Sequence, residues 1–321
     1  MENKIKLLVC GATGFIGRNI VEYFSKNSKY EVIGIYNKRP TYEYPNLKWI
    51  EADLTNVSDI RRAIKDVDII IQAAATTSGS KDIVARPYIH VTDNAVMNSL
   101  LFREAFECKI KHVVFFSCTV MLQSSEKPQD ESNYDANLEL HPRYFGVGNT
   151  KLYIEKMCDF YSRIGGTKFT AIRHTNIYGP HDKFDLEKSH VFGATITKVL
   201  SSKDGKVNVW GTGEEERDLL YVDDLSSFVE KAIEKQIKPY ELYNCGYGSA
   251  ISIKDLVSKI IFFSGKDLLI EHDLTQPTIK TSLSLDCKKS ESELGWKPRV
   301  SIDEGIKKTI DWWRNNINDN Q

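Results

Sequence analysis

KIKLLVCGATGFIG, residues 4–17, decides the fold. Its apolar run ends at Cys10 and meets glycine at once, which reads as a short buried strand. Gly11, Gly14 and Gly17 follow at three-residue intervals. FIGRNIVEYFSKN then places Ile16, Ile20, Val21 and Phe24 at helical spacing. Strand, glycine turn and helix together form a dinucleotide-binding arrangement. Glycines permit a tight turn and close backbone approach to a pyrophosphate, while the helix start offers free N–H groups and a positive dipole end. Gly11, Thr13, Gly14, Phe15, Ile16 and Gly17 are therefore predicted to hold the phosphates. The plain alternative, a glycine turn with no ligand, is disfavoured by the flanking strand and helix.

The rhythm continues outward. YEVIGIY is a second strand, SDIRRAIKDV a helix with Ser58 as its N-cap, and DIIIQAAA a third strand. A long helix near residues 90–109 leads to a fourth strand, KHVVFFSCT. KLYIEKMCDFYSRIGG is a helix ended by its glycine pair, and KFTAIRHTNIYG is a fifth strand. Alternation of this kind predicts an α/β fold, a Rossmann-type doubly wound parallel sheet. After Gly179-Pro180 it loosens into turns, short strands and helices such as DDLSSFVEKAIEK. Residues 1–180 are expected to form the NAD(P)-binding domain and residues 181–321 a smaller α/β substrate domain, with some later segments returning to the first sheet.

The end of the second strand bears on the cofactor. NAD enzymes usually carry an acidic residue there for the ribose hydroxyls. This chain has Asn37-Lys38-Arg39. Two cations and no carboxylate suit a 2′-phosphate, so NADP is expected, with NAD as the alternative. Asp53 and Leu54 would reach the adenine side. Ala73-Ala74-Ala75 would let the dinucleotide pass close to the backbone.

The bulk numbers exclude other classes. The 321 residues are 41% hydrophobic and 27% charged, with net charge −1, an ordinary globular composition without the basic surplus of a nucleic-acid binder. Cys10, Cys108, Cys118, Cys158, Cys245 and Cys287 are scattered with no CxxC pair. Neither a disulfide framework nor a zinc site is suggested, and reduced thiols fit a cytoplasmic location. The first apolar run is too short for a signal peptide, and none approaches the roughly 18 residues of a membrane span.

GATGFIG, DIIIQAAA, FFSCTV and the lysine at 151 together resemble the extended short-chain dehydrogenase/reductase superfamily. Within it, TNIYGPHDKF, the SHV that follows, VWGTGEEERDLLYVDD and LGWKP resemble the GDP-L-fucose synthase-like 4-keto-6-deoxyhexose epimerase/reductases. The likeness covers almost the whole chain. It implies that Ser117 hydrogen-bonds the sugar 4-oxygen and that Lys151 binds the nicotinamide ribose and lowers a nearby acid's pKa. It places Asn176 near sugar and nicotinamide, makes His190 an acid in epimerisation, and gives Arg217 the diphosphate. Trp210 would border the base. A homodimer is implied as well. Plainer readings stand beside these: Ser117 finishing a strand, Lys151 exposed on its helix, His190 structural, Arg217 paired with neighbouring glutamates. His174, inside a strand, reads as a hydrogen-bonded core residue. Asp223-Asp224 reads as a helix N-cap, and no metal is predicted.

Two positions depart from the resemblance. Thr119 falls where those synthases carry a cysteine that abstracts a proton, and a threonine hydroxyl is a very poor base. Cys118 is adjacent, but successive strand residues point to opposite faces. In RYFGVGNTKLY, residues 143–153, Val147 stands four before Lys151, where a tyrosine acid is expected. Gly146, Gly148 and Asn149 disfavour helix, so the helix is expected to begin near Thr150, leaving Tyr144 free to approach the nicotinamide. Three readings stay open: Tyr144 is the acid; His190, Ser117 or a water replaces it; or the protein binds without turning over. The chemistry expected is NADP(H)-dependent reduction or epimerisation and reduction at C4 of a nucleotide-diphospho-4-keto-6-deoxy sugar, GDP favoured. The alternative is a 4-epimerase or 4,6-dehydratase that recycles NAD.

Overall fold

The computed structural model describes residues 4–76, 86–186, 189–275 and 282–317. The first half alternates as the apolar pattern requires: β1 (Ile5–Cys10), α1 (Phe15–Phe24), β2 (Tyr30–Tyr36), β3 (Leu47–Glu51), α2 (Val57–Ala63), β4 (Ile69–Gln72), α3 (Thr92–Glu107), β5 (His112–Phe116), α4 (Phe145–Ile164) and β6 (Lys168–His174). The later half contains β7 (Asn176–Tyr178), α5 (Val191–Ser201), β8 (Lys206–Trp210), β9 (Glu216–Tyr221), α6 (Val222–Lys235), β10 (Tyr240–Cys245), β11 (Ala250–Ser252), α7 (Ile253–Ser264), β12 (Leu269–Asp273), α8 (Lys288–Leu294) and α9 (Ile302–Asn316).

Seven strands form one parallel sheet in the order β10-β6-β5-β4-β1-β2-β3. Order reverses beside β1, the feature of a doubly wound sheet that places ligands at the carboxyl ends of the strands. Successive residues of each strand feed opposite cores. Leu7, Val9, Val114, Phe116 and Ile172 pack with Ile20 and Phe24 of α1 and Phe228 of α6. Leu8, Val113, Phe115 and Phe169 pack with Leu101 and Phe102 of α3 and Ile154 of α4. A third core joins Phe192, Ile196, Leu219, Leu256, Ile260, Ile306 and Trp313 from the later helices and β9.

Three local expectations need correction. Asn56, not Ser58, caps α2; its carboxamide oxygen accepts from the N–H groups of Ser58 and Asp59 at 2.9 and 3.3 Å. The fifth strand divides at Thr175. There the Thr175 N–H makes the last bond to Cys245 O, 3.1 Å, and the chain leaves for a three-stranded sheet, order β11-β9-β7. Asp223-Asp224 does not cap α6, whose N-cap is Tyr221. The Asp224 carboxylate instead accepts from the N–H groups of Arg299 and Val300, both at 3.0 Å, fixing the approach to α9.

Candidate active site at the carboxyl edge of the sheet

The glycine turn fits a dinucleotide. Gly11 has φ 72°, and a Cβ there would lie 2.7 Å from the backbone N and Cα of Ala74. That close approach of two backbones leaves no room for a side chain at position 11. Gly14 is the N-cap of α1; no side chain caps the helix and no acidic residue stands in its first turn. The first N–H groups of α1 therefore keep no internal partner and meet an anion favourably. Thr13, Phe15 and Ile16 are half-buried around the turn and Gly17 is buried beneath it.

At the end of β2, Asn37, Lys38 and Arg39 are exposed. Asp53 lies within reach of Asn37 and Lys38, and the Thr55 hydroxyl and N–H hold its carboxyl below the usual range. Leu54 is buried, and Ala75 is exposed at the sheet edge.

β5 ends at Phe116. Ser117 still donates its N–H to Ile172 O, 2.8 Å, but its hydroxyl donates to Glu155 at 2.6 Å. Glu155 is also gripped by Arg173 through Nε and an Nη at 3.0 and 2.8 Å. A guanidinium inside a buried strand requires such a partner, and Ser117 completes the network. Its hydroxyl proton is thus engaged in the interior, and only its lone pairs remain for the expected bond to the sugar. Cys118 and Thr119 follow the strand rather than continue it, so strand alternation does not separate them. Cys118 lies within electrostatic reach of Lys151; burial nonetheless pushes its thiol pKa up.

Lys151 reaches from α4 to the strand end, where its Nζ donates to Phe116 O at 2.7 Å and lies 4.7 Å from the Phe115 ring centroid. Burial draws its pKa below the usual lysine range. The helix carrying it is regular from Phe145 onward, contrary to the expected start near Thr150. A turn at Pro142–Tyr144 leads in. The polar residues expected to break the helix support it: Asn149 donates to Phe145 O at 2.8 Å and Thr150 to Gly146 O at 2.8 Å. The glycines allow close packing, since a Cβ on Gly146 or Gly148 would come within 2.9 Å of Val91 or Leu140. Val147 therefore occupies the helical position four before Lys151. Tyr144, the N-cap, stays about 10.5 Å from Lys151 along the axis. Its charge neighbour is Arg217, and its ring lies 5.6 Å from that of His141.

The GPHD and SHV segments form one anchored loop. Asn19 of α1 donates to Pro180 O at 2.8 Å, and Asp185 N–H donates to the Ser189 hydroxyl at 2.9 Å. The loop delivers His190 to the N-cap of α5, exposed and with no side-chain capping bond. Asn176 opens β7 and donates weakly to Asp218 O, 3.4 Å. Arg217 is half-buried in β9 and donates to Glu216 O at 2.7 Å. Trp210 is exposed on β8 with Lys198 5.8 Å from its ring centroid. Among the described residues, no three His, Cys, Asp or Glu side chains are grouped to hold a metal.

Two further features of this edge were only faintly marked in the sequence. The Glu155–Arg173 pair was signalled by an arginine within an apolar strand. His174 was assigned to the core; it lies half-buried at the last position of β6, where a doubly wound sheet meets its ligands.

The NAD dependent epimerase/dehydratase family matches residues 7–246. The chain is 26% identical to a GDP-L-fucose synthase of Sinorhizobium fredii, over 98% of this chain and 97% of that one. It is 30% identical to a probable GDP-L-fucose synthase 1 of Oryza sativa, over 83% of each. The structure of a UDP-glucose 4-epimerase from Thermotoga maritima with UDP-glucose superimposes with a TM-score of 0.86 and 24% identity, covering 98% of this chain and 100% of that one. Sheet order, glycine turn and whole-length similarity agree: the chain belongs to the NAD-dependent epimerase/dehydratase family and is a nucleotide-sugar epimerase or reductase.

Proposed function

We propose that this protein is an NADP(H)-dependent reductase or epimerase/reductase acting at C4 of a nucleotide-diphospho-4-keto-6-deoxy sugar, with GDP the favoured nucleotide. The observation that carries the reading is Lys151, whose half-buried ammonium is fixed to Phe116 O on the sheet edge that also carries the glycine turn. Lys38 and Arg39, exposed at a ribose-binding position whose own segment holds no carboxylate, support NADP over NAD. The GDP-L-fucose synthases among the relatives support the substrate class.

A bound nicotinamide dinucleotide supplies the hydride. Gly11 to Gly17 would seat its phosphates, with Asp53, Leu54 and Ala73 to Ala75 beside the adenosine half. Lys151 would hold the nicotinamide ribose and favour an anionic oxygen nearby. Arg217, with Tyr144 beside it, would hold the sugar diphosphate. Asn176, His190 and Thr119 would border the sugar and Trp210 the base. Tyr144 on this reading binds substrate and is not the acid, because the regular helix keeps it away from Lys151.

The protein is further proposed to work in the cytoplasm as a homodimer. Phe145, Tyr153, Phe160 and Ile164 are all exposed on α4 and fall within an arc of about 100°, an unpartnered apolar face suited to a second copy. The second reading, a 4-epimerase that recycles NAD, is favoured by the likeness to the Thermotoga maritima enzyme.

Purified protein incubated with GDP-, UDP-, dTDP- and CDP-sugars tests both. Oxidation of NADPH with a GDP-4-keto-6-deoxy sugar is expected. Epimerised product without net oxidation selects the second reading. Failure to bind any nucleotide sugar contradicts both.

A further inference from the structure

With Val147 at the expected acid position, the sheet edge must supply another proton carrier within reach of Lys151. Three groups besides His174 share charge contact with it: Cys118, Glu155 and Cys158. Glu155 is committed to Arg173 and Ser117. Cys158 is fully buried. Cys118 is held as a neutral thiol by burial. His174 remains, and its geometry suits the task. Its Nδ1 lies 2.8 Å from Thr175 O. A carbonyl only accepts, so Nδ1 carries the proton and Nε2 the lone pair. The imidazole sits edge-on to the Phe116 ring, centroids 6.0 Å apart, while Lys151 bonds the carbonyl of that same Phe116. His190 stands within electrostatic reach as well. His174 therefore stands within electrostatic reach of both the lysine assigned to the nicotinamide ribose and the histidine assigned to the sugar.

We propose that His174 takes and returns the proton of the sugar 4-oxygen, in place of a tyrosine at position 147; this rests on the nucleotide-sugar reading above. In the oxidative direction the C4–H electron pair leaves as hydride for the oxidised nicotinamide. The O4–H bond breaks, its electrons complete the C4=O bond, and the proton moves to Nε2. Reduction reverses each change. The charged and titratable neighbours are Lys151 from α4, His190 at the start of α5, and Cys245, its register partner on β10. Burial lowers the His174 pKa to about 4, with the bond to Thr175 O opposing it and the Lys151 charge adding to it, while Cys245 remains a thiol. His174 is thus a neutral base at pH 7, and its imidazolium gives the proton back readily.

The test combines NMR with kinetics. Nitrogen-15 histidine spectra of the wild type, assigned with H174Q, are titrated with NADP⁺ and with NADPH bound. An Nδ1–H tautomer is expected, with a pKa lower by about one pH unit in the NADP⁺ complex, because only the oxidised ring is cationic. Equal values in the two complexes would overturn the proposal. H174A and H174Q should each lose about 100-fold or more in kcat while binding NADPH normally, and imidazole should partly restore H174A. Undiminished turnover in both variants overturns the proposal equally. If the wild type turns over no nucleotide sugar, the functional reading fails, and the spectra alone decide His174.

Discussion

Gly11 and Gly148 stand beside the same sheet edge and use the same residue for opposite ends. Gly11 holds a backbone conformation, φ 72°, that side chains rarely adopt, and it touches the backbone of Ala74. Gly148 is ordinary helix, and a Cβ there would crowd Leu140 Cδ1, the tip of a flexible side chain, at 2.9 Å. One glycine supplies freedom of rotation; the other supplies room. Composition alone does not separate the two uses. The first was legible because a strand precedes it and a helix follows. The second was misread because propensity was weighed without the packing that overrides it.

The largest effect that sharpens this contrast is Gly11→Val. Its side chain meets backbone that cannot retreat, in a backbone region that strains a β-branched residue. Cofactor binding should vanish in a fluorescence titration, with several kcal/mol of stability lost. Retained binding would detach the glycine turn from the cofactor. Next is Lys151→Met, expected to reduce kcat by about 100-fold or more while the melting temperature moves little. A small change in kcat would leave Lys151 a mere helix-to-strand tie.

A third measurement compares the two histidines at opposite ends of the sheet strands, His112 opening β5 and His174 closing β6. Burial lowers His112 to about 3 and His174 to about 4. Both fold neutral, so the unfolded chain binds more protons between these values and about 6.5. Their contribution is complete above pH 6.5 and is lost as pH falls toward 4. In urea titrations each should add a slope of about 1.4 kcal/mol per pH unit. H112Q should flatten the profile by one proton; an unchanged slope would mean His112 is already charged in the fold. The smallest effect is Gly148→Ala. Gain in helix propensity opposes the Leu140 contact, and the net change should stay within about 1 kcal/mol. A loss as large as that of Gly11→Val would erase the contrast.

Much of the fold was legible because parallel strands buried on both faces read as continuous apolar runs. The division of KFTAIRHTNIYG was not, since the switch at Thr175 depends on a bond to β10, far along the chain. In the site, Lys151 and the glycines carried local signals. Ser117 did not reveal that its hydroxyl faces Glu155, because direction at a strand end depends on what is packed below. Cys118 and Thr119 were assigned by alternation, which stops where β5 stops. His174 was taken for core because its neighbours in sequence are core; only the register of β6 places it at the rim.

The central claim is that α4 is regular, so Tyr144 serves the substrate and not the proton. Tyr144→Phe tests it most directly, with turnover and NADPH binding measured on the nucleotide sugar that the wild type converts. A kcat within about threefold of wild type and a raised KM are expected, the pattern of lost uniform binding. A fall in kcat of about 100-fold with NADPH binding intact would contradict it and return the acid to Tyr144.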